Sequence, residues 1–230
     1  MPTSTGSYHH GDLPAALVRA ATELLEEGGA TELSLRAAAR RAGVSPAAPY
    51  RHFADRSALL SAVAAGGYRE LAVKLATAHP APTTADDLAA IAVAYVRFAL
   101  QRPGLFRVMF AESCDPSSLE RVAASEAIGE YVKGIVRHAF PGADPDAMAT
   151  AVWALVHGLA FLYLDGKLEA SSPKAVADEV RGVVLAMLSA STAAARRPRS
   201  AGAVSKTRAG SKAARRGSVS KSAGRSAASR

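Results

Sequence analysis

Apolar residues recur at helical spacing in successive segments along most of this chain. In the first segment, residues 12–27, they occupy Leu13, Leu17, Ala20, Ala21, Leu24 and Leu25, and the pattern ends at Gly28 and Gly29. No run of alternating apolar and polar residues is long enough to build a sheet. Alanine is frequent and aromatic residues make up only 6%, which also favours helices. The sequence therefore predicts an all-α fold.

Further helices follow from the same periodicity. Ser34 is predicted to cap a short helix that ends at Gly43, and Asp55 is a candidate N-cap for a longer one. Residues 78–85 have the composition of a linker. Beyond the linker, helices are predicted around the stripe Leu88, Ile91, Tyr95 and Phe98, then over 103–110, 117–140, 146–165 and 174–193.

Residues 147–164 contain no formal charge in eighteen positions. Their length and composition allow two interpretations, a membrane span or a helix buried on several sides in a core and a subunit interface. The segment is rich in alanine, includes His157 and Thr150, and has no second segment like it. These features favour the buried helix, so no contact with a membrane is expected.

The net charge of +8 is unevenly distributed. Residues 195–230 hold eleven Lys and Arg residues and no Asp or Glu, which leaves a net charge of −3 on the preceding 194 residues. The tail lacks apolar periodicity, so we expect it to be disordered and to attract phosphates without reading sequence. Contact with a membrane surface and a simple solubility role are the competing interpretations. The single cysteine, Cys114, fits a reducing compartment, and no secretion signal is evident.

The segment around Gly43 has the layout of two short helices joined by a sharp turn. Gly43 can adopt a positive φ, and the small Ala39 leaves space for a second helix to cross closely. Ser45 can cap that second helix, with Pro46 in its first position, where a missing N–H costs nothing. The spacing alone fits both a DNA-binding helix-turn-helix and a plain helical hairpin.

Residues 8–75 resemble the DNA-binding domain of the tetracycline-repressor (TetR) family. The matching stretches, in family order and spacing, are YHHGDLPAALVRAATELLEEGGA, LSLRAAARRAGVS, PAAPYRHF and ADRSALL. A second, less specific resemblance covers about residues 80–190. There, QRPGLFRVMF and AVWALVHGLAFLYLDG are similar to the regulatory half of a branch marked by Trp-x-x-x-His-Gly, here Trp153, His157 and Gly158.

The resemblance implies a three-part chain. Residues 8–70 would form a three-helix domain with the helix-turn-helix motif at about 33–52, residues 80–194 a helical ligand-binding and dimerisation domain, and 195–230 the basic tail. The implied function is transcription regulation by a ligand-responsive repressor. It would act as a homodimer on a pseudo-palindromic operator in double-stranded DNA, in the cytoplasm at the nucleoid, with an unknown small-molecule effector.

Pro49 departs from the family pattern, which usually has an aliphatic residue there. The resemblance places Pro49 and Phe53 in the domain core. Because Pro49 lacks an N–H and disfavours α geometry at Ala48, the first turn of a helix over about 45–53 is expected to be distorted and stiff. The alternative is that Pro49 only packs.

Contacts with DNA divide into those that position the protein and those that read bases. By resemblance, Tyr50, His52 and Arg56 bind phosphates, and the helix starts at Ser34 and Ser45 also suit phosphate. Pro46, Ala47 and Arg51 would face the groove, with Arg51 able to bond guanine. Arg36, Arg40 and Arg41 fit either backbone contacts or a solvated face.

In the second half, several aromatic side chains are candidates for a ligand pocket between helices. These candidates are Phe98, Phe106, Phe110, Trp153, His157 and Phe161. A well-filled core is the competing interpretation for each of them. Arg97 and Arg107 are the charged side chains that could fix a ligand there.

The sequence offers no enzyme signature, so no enzymatic activity and no cofactor are expected. It has no glycine-rich phosphate loop after a strand, and His9, His10 and His138 lack metal-ligand spacing. The alternative to a ligand-responsive regulator is a sequence-tolerant architectural DNA-binding protein that uses its basic tail.

Overall fold

The structure is a computed structural model in which residues 13–196 are described. They form eight α-helices and two short 3₁₀ helices, and these residues contain no strand. The α-helices are α1 (Leu13–Gly28), α2 (Leu35–Arg41), α3 (Arg56–Ala78), α4 (Ala85–Gln101), α5 (Pro103–Phe110), α6 (Leu119–Ala139), α7 (Pro145–Leu164) and α8 (Pro173–Arg196). The 3₁₀ helices are Ala30–Glu32 and Ala48–Arg51. The prediction of an all-α fold is confirmed.

Three sequence-based predictions concern segments largely or wholly outside the described residues. They are the disordered basic tail at 195–230, the start of the DNA-binding domain at residue 8, and the pair His9 and His10. The domain boundaries stay predictions, although α3 passes through residue 70 without interruption.

Helix starts in the first half are set by side chains that accept hydrogen bonds from backbone N–H groups. Ser34 Oγ accepts from the N–H of Ala37 at 3.1 Å at the start of α2, and Asp55 Oδ1 accepts from Ala58 at 2.8 Å at the start of α3. Each satisfies a donor that has no partner within its helix. Both predicted caps are therefore confirmed.

The turn after α2 follows the geometry that glycine permits. Gly43 has a φ of +70°, its N–H bonds the carbonyl of Arg40 at 3.2 Å, and the N–H of Val44 bonds Ala39 at 3.0 Å. This pair of bonds satisfies the last carbonyls of α2 and redirects the chain. Ala39 is fully buried, which is consistent with its predicted place at the crossing.

The predicted helix over 45–53 is wrong in type and length. After a turn at Pro46 and Ala47, the chain forms only the 3₁₀ helix Ala48–Arg51, and no side chain, Ser45 included, caps it. Pro49 has no N–H to donate, so the first i→i−4 bond of an α-helix cannot form there. Instead, the N–H of Ala48 bonds the carbonyl of Ser45 at 3.0 Å, three residues back, as a 3₁₀ turn requires.

The central element is α3, a helix of 23 residues whose buried side chains face several neighbouring helices. Its N-terminal half buries Leu59, Leu60 and Val63 in the core shared with α1. At Gly67, an added Cβ would lie 2.6 Å from Met109 Sδ of α5, so glycine there permits the close approach of two helices. At the next residue, the hydroxyl of Tyr68 donates to the carbonyl of Met109 at 2.7 Å.

The uncharged segment forms α7, which is long and apolar enough to cross a membrane by length and composition alone. One face of α7 buries Val152, Val156, Leu159 and Ala160 in the protein core. This packing fits the interpretation of residues 147–164 as a helix buried in the core. Outside this face, Trp153 and Leu162 lie on different sides of the helix and are 48% and 44% exposed.

Candidate DNA interface and ligand cavity

The end of α2 and the 3₁₀ helix after it present a continuous stretch of exposed side chains. Of the residues predicted to contact DNA, those that are exposed are Ser34, Arg36, Ser45, Pro46, Ala47, Tyr50, Arg51 and His52. Tyr50 is 52% exposed, so its ring is not absorbed by the core. Arg36, Arg40 and Arg51 form no ion pair with any described residue, which leaves three cations available to an anionic partner.

A second set of side chains fixes this surface from below. Pro49 is buried and Phe53 is 8% exposed, and the carbonyl of Pro49 accepts from the N–H groups of His52 and Phe53, both at 2.9 Å. Arg41 bonds Glu23 and Glu27 of α1, at 3.2 and 2.5 Å for its closest contacts. Arg41 therefore ties α2 to α1, an arrangement that neither of its predicted alternatives included.

Arg56 differs from the other predicted phosphate contacts because most of its guanidinium bonds the protein itself. Its Nε donates to the carbonyl of Leu33 at 3.1 Å and its Nη2 to the carbonyl of Ala30 at 2.6 Å. The nearest carboxylate is that of Glu112, at 3.8 Å. These bonds anchor the start of α3 to the segment before α2, so Nη1 is the nitrogen left for a phosphate.

A cavity of about 390 Å³ lies among α3, α4, α6 and α7. Its wall is mostly apolar, and its charged residues are Glu126 and Lys133 of α6. The lining residues are Tyr68, Leu71, Tyr95, Phe110, Ser125, Glu126, Ile128, Gly129, Val132, Lys133, Ala149, Thr150 and Trp153. A cavity of this size suits a small organic molecule with an apolar body.

The six predicted pocket residues divide into three groups. Phe110 and Trp153 line the cavity, whereas Phe98 and Phe106 are almost fully buried in the core, at 1% and 0% exposure. His157 and Phe161 lie behind the cavity wall, with ring centroids 4.7 Å (Phe110–His157) and 4.9 Å (His157–Phe161) apart. The filled-core interpretation therefore fits Phe98 and Phe106, and the pocket role of the group stays a prediction.

Tyr95 connects the cavity wall to this aromatic group. Its hydroxyl lies 3.0 Å from His157 Nδ1. Burial lowers the pKa of His157, because the charged imidazolium loses hydration there, and this favours the neutral ring, whose unprotonated Nδ1 can accept a hydrogen bond from the Tyr95 hydroxyl. His157 is thus a hydrogen-bonded histidine within an aromatic cluster. The sequence marked Tyr95 only as part of an apolar stripe and did not identify Tyr68 or the α6 residues as cavity residues.

An ionic junction joins the DNA-facing helices to the cavity-bearing helices. Arg102, just before α5, bonds Glu26 of α1 at 3.1 Å and both oxygens of Glu70 of α3 at 2.8 Å. Glu26 also accepts from the backbone N–H groups of Gly104 and Leu105 at the start of α5. Sequence reasoning missed this junction, because its partners lie 76 and 32 residues from Arg102.

The comparisons with known proteins cover both halves of the chain. A family profile described as bacterial regulatory proteins, tetR family, matches residues 17–63, and one described as tetracyclin repressor-like, C-terminal domain, matches residues 88–188. Among curated protein sequences, no match was found.

Solved structures with the same fold include two from Rhodococcus and one from Thermobifida fusca. A protein of unknown function from Rhodococcus sp. RHA1 is 34% identical, with a TM-score of 0.67 over 79% of this chain and 98% of its own. A regulatory protein in the tetR family from Rhodococcus RHA1 is 21% identical, with a TM-score of 0.60 over 76% and 95% of the two chains. A transcriptional regulator of the TetR/AcrR family from Thermobifida fusca is 19% identical, with a TM-score of 0.57 over 76% and 97%.

The two family profiles together span well over half of the chain, and the helix-turn-helix lies within the first of them. The second covers all of α5 and α6 and the residues that line the cavity on α4 and α7. The resemblance seen in the sequence is therefore confirmed on both halves. This protein belongs to the TetR family and is a DNA-binding transcriptional regulator.

Proposed function

We propose that this regulator is a repressor that binds a pseudo-palindromic operator as a homodimer and responds to a small molecule in the cavity. The observation that carries the proposal is the course of α3. This helix starts at Arg56, directly after the DNA-facing 3₁₀ helix, and runs without interruption to Tyr68 and Leu71 in the cavity wall. One rigid element therefore contacts both sites, so a ligand that displaces α3 also moves the DNA-facing surface.

The exposed residues after α2 divide into positioning and reading contacts. Tyr50, His52, Arg36 and the start of α2 at Ser34 position the protein on phosphates. The Oγ of Ser34 accepts from Ala37, so its hydroxyl proton stays free for a phosphate oxygen. Ser45 lies exposed at the turn, where it too can meet the DNA backbone. Arg56 completes this set through Nη1 alone, since its other nitrogens bond Leu33 and Ala30.

Pro46, Ala47 and Arg51 are the proposed reading contacts. All three are exposed, and Arg51 has no partner among the described residues. Its guanidinium can bond the O6 and N7 of a guanine, while Pro46 and Ala47 suit the methyl group of thymine. The 3₁₀ helix carries Arg51 and follows directly on the turn of Pro46 and Ala47, and Pro49 and Phe53 anchor this segment in the core.

The homodimer is proposed to form through α7 and α8. On α7, Ala147, Ala151, Ala154, Gly158 and Leu162 are exposed along one stripe. On α8, Gly182, Ala186 and Ser189 are exposed in the same way. Small, mostly apolar side chains allow helices of a second copy to approach closely, and a two-fold protein calls for a two-fold site with half-sites about one helical turn apart.

The decisive experiment is genome-wide mapping of binding sites followed by footprinting of one site with the full chain. A footprint on a pseudo-palindrome, together with a dimer by light scattering at micromolar concentration, supports the proposal. Uniform coverage of unrelated DNA, or a monomer that still binds specifically, contradicts it. The proposed repressor acts in the cytoplasm, at the nucleoid. Deletion of its gene should therefore raise transcription of the genes beside the binding site.

The response to a ligand is tested separately at the ionic junction. Arg102→Met removes both ion pairs and keeps much of the side-chain volume. Dimer formation should stay unchanged, but the coupling between the cavity and the DNA-facing surface should weaken. A small molecule that dissociates the wild type from its DNA site should therefore dissociate a smaller fraction of the variant at the same concentration. Lys174→Met, which removes an exposed pair with Asp178 on α8, is the control.

A further inference from the structure

Arg121 is a half-buried cation without a partner. Its Nε is buried and forms no hydrogen bond, and its guanidinium forms no ion pair with any residue between 13 and 196. By contrast, Arg41, Arg69 and Arg102 each contact a carboxylate at 3.2 Å or closer. A buried hydrogen-bond donor without a partner lowers the stability of the folded protein. A bound ligand that supplies an acceptor would remove this cost.

The position of Arg121 on α6 places it at one end of the cavity. Arg121, Ser125, Ile128 and Val132 are spaced four, three and four residues apart and therefore lie along one face of the helix. The last three line the cavity. Arg121 is one helical turn beyond Ser125, on the continuation of the same wall.

The charge of Arg121 acts on groups at this side of the molecule. Burial raises the pKa of the Tyr68 hydroxyl, which lines the cavity, to about 12, and the positive charge of Arg121 opposes that rise. Burial also raises the pKa of the Cys114 thiol, and Arg121 again opposes the rise. Both effects agree with the position that the helical spacing gives Arg121.

The acidic groups around Arg121 are engaged elsewhere. Asp115 Oδ1 accepts from the N–H of Ser117 at 2.8 Å and from its hydroxyl at 2.7 Å. Glu120 bonds Arg69 at 2.6 Å. Asp115 therefore contributes a favourable field without forming an ion pair, and the donors of Arg121 stay available.

The cation further along the α6 wall is already paired. Lys133, about three turns from Arg121, contacts Glu130 at 3.1 Å and Asp146 at 3.0 Å, so its charge is neutralised. Glu126, next to Ser125, is the acidic group of the lining. Among the described cations of α6, Arg121 is therefore the one without a carboxylate partner.

We propose that the effector is a carboxylic acid with an apolar body, whose carboxylate bonds Arg121 while the body lies against Leu71, Phe110, Ile128 and Val132. This inference rests on the ligand cavity of the proposed function and adds the chemical class of the ligand. A planar guanidinium matches a carboxylate in geometry as well as in charge. The apolar residues of the lining set the length and bulk of the body.

The test uses decanoate and its uncharged counterpart 1-decanol, with the full-length protein. Trp153 is the single tryptophan of the chain and lines the cavity, so its fluorescence reports binding of either probe. Four proteins are compared: wild type, Arg121→Gln, Arg121→Lys and Lys133→Gln, the last removing the other cation of the cavity.

Decanoate should bind Arg121→Gln about tenfold or more weakly than wild type, the loss expected for a charge-assisted hydrogen bond. Arg121→Lys should recover part of the affinity, and Lys133→Gln should stay close to wild type. 1-Decanol should bind all four alike. Equal binding of decanoate to wild type and Arg121→Gln, or no binding to wild type, overturns the proposal.

A cavity-filling variant that keeps Trp153 as the single tryptophan, Val132→Phe, separates this inference from the proposed function. If Val132→Phe abolishes binding of 1-decanol while decanoate binds wild type and Arg121→Gln alike, the cavity stands and the carboxylate is wrong. If Val132→Phe leaves the binding of both probes unchanged, the probes lie elsewhere, and the cavity and the carboxylate site are both wrong.

Discussion

The DNA-facing region and the cavity region of this protein solve opposite packing problems. In the first, small residues such as Ala38 and Ala39 close a compact core, and the polar side chains point outwards. In the second, long helices leave a mostly apolar space unfilled between them. One region presents a rigid surface to a large partner, and the other keeps room for a small one.

The two regions also differ in what holds them. Short-range contacts dominate in the first, since the caps of α2 and α3 and the turn at Gly43 connect residues at most five positions apart. In the second, the contacts that shape the site join distant residues, such as Tyr95 with His157, 62 positions apart. The junction at Arg102 is where the two kinds of organisation meet.

Gly104→Ala should have the largest effect, because it breaks the contact between the two regions. The added Cβ would lie 2.3 Å from the carbonyl oxygen of Leu25, a backbone atom that moves only if α1 moves. We expect a loss of about 2–3 kcal/mol in the free energy of unfolding, measured by urea denaturation. Gly134→Ala in α6, with open space around the new Cβ, should instead be neutral or stabilising by up to about 1 kcal/mol. Similar losses in both variants would contradict the close approach at Gly104.

Arg51→Ala tests whether the exposed surface contains separate reading and positioning contacts. It should weaken operator binding by about 1–3 kcal/mol and relax the preference at one base position. Tyr50→Phe, in the same 3₁₀ helix, should weaken binding to operator and random DNA alike, because a phosphate contact carries no sequence information. Both are measured by titration against operator variants. A changed base preference in Tyr50→Phe would show that the division of contacts is wrong.

Pro49→Ala compares a buried proline with an exposed one in the same short segment. Loss of buried apolar surface and greater freedom of the unfolded chain should together cost about 1–2 kcal/mol of stability. Pro46→Ala, at an exposed position, should cost less than about 1 kcal/mol, since only the unfolded-state term applies. Thermal unfolding of both variants makes the comparison. A larger loss for Pro46→Ala would mean that the turn, and not the core contact, holds the 3₁₀ helix.

A pH series on His157→Gln should show the smallest effect, confined to the cavity region. Because burial lowers the pKa of His157, the unfolded chain binds its proton more readily than the folded protein. The contribution of His157 to stability is therefore present above its ordinary pKa of about 6.5 and is lost as the pH falls below it. The decrease in melting temperature from pH 7.5 to pH 5.5 should be larger in wild type than in His157→Gln. An equal or larger difference in the variant would contradict the assignment.

The accuracy of the sequence-based predictions follows the same division between regions. Ser34, Gly43 and Asp55 act on neighbours a few residues away, so their roles were readable in order along the chain. The one local failure was the helix over 45–53, where the cap and proline signals of an α-helix start were present. The missing N–H of Pro49 outweighed them, and the chain closed a 3₁₀ turn.

In the cavity region, periodicity located each helix to within about three residues but did not assign its faces. Phe98, Phe106 and Phe110 have the same side chain and similar helical surroundings in the sequence. The first two are buried in the core, and only Phe110 reaches the cavity. Which outcome applies depends on how four helices cross, and a helical period carries no information about that.

By itself, the sequence determined the all-α class, the caps at Ser34 and Asp55 and the turn at Gly43, because these depend on backbone geometry and on hydrogen bonds between near neighbours. The tertiary structure alone decided that Arg102 would bridge Glu26 and Glu70, that Arg41 would bind α1, and that Arg121 would have no carboxylate partner within residues 13–196. Charges find partners according to distance in space, and that distance is set only when the helices pack.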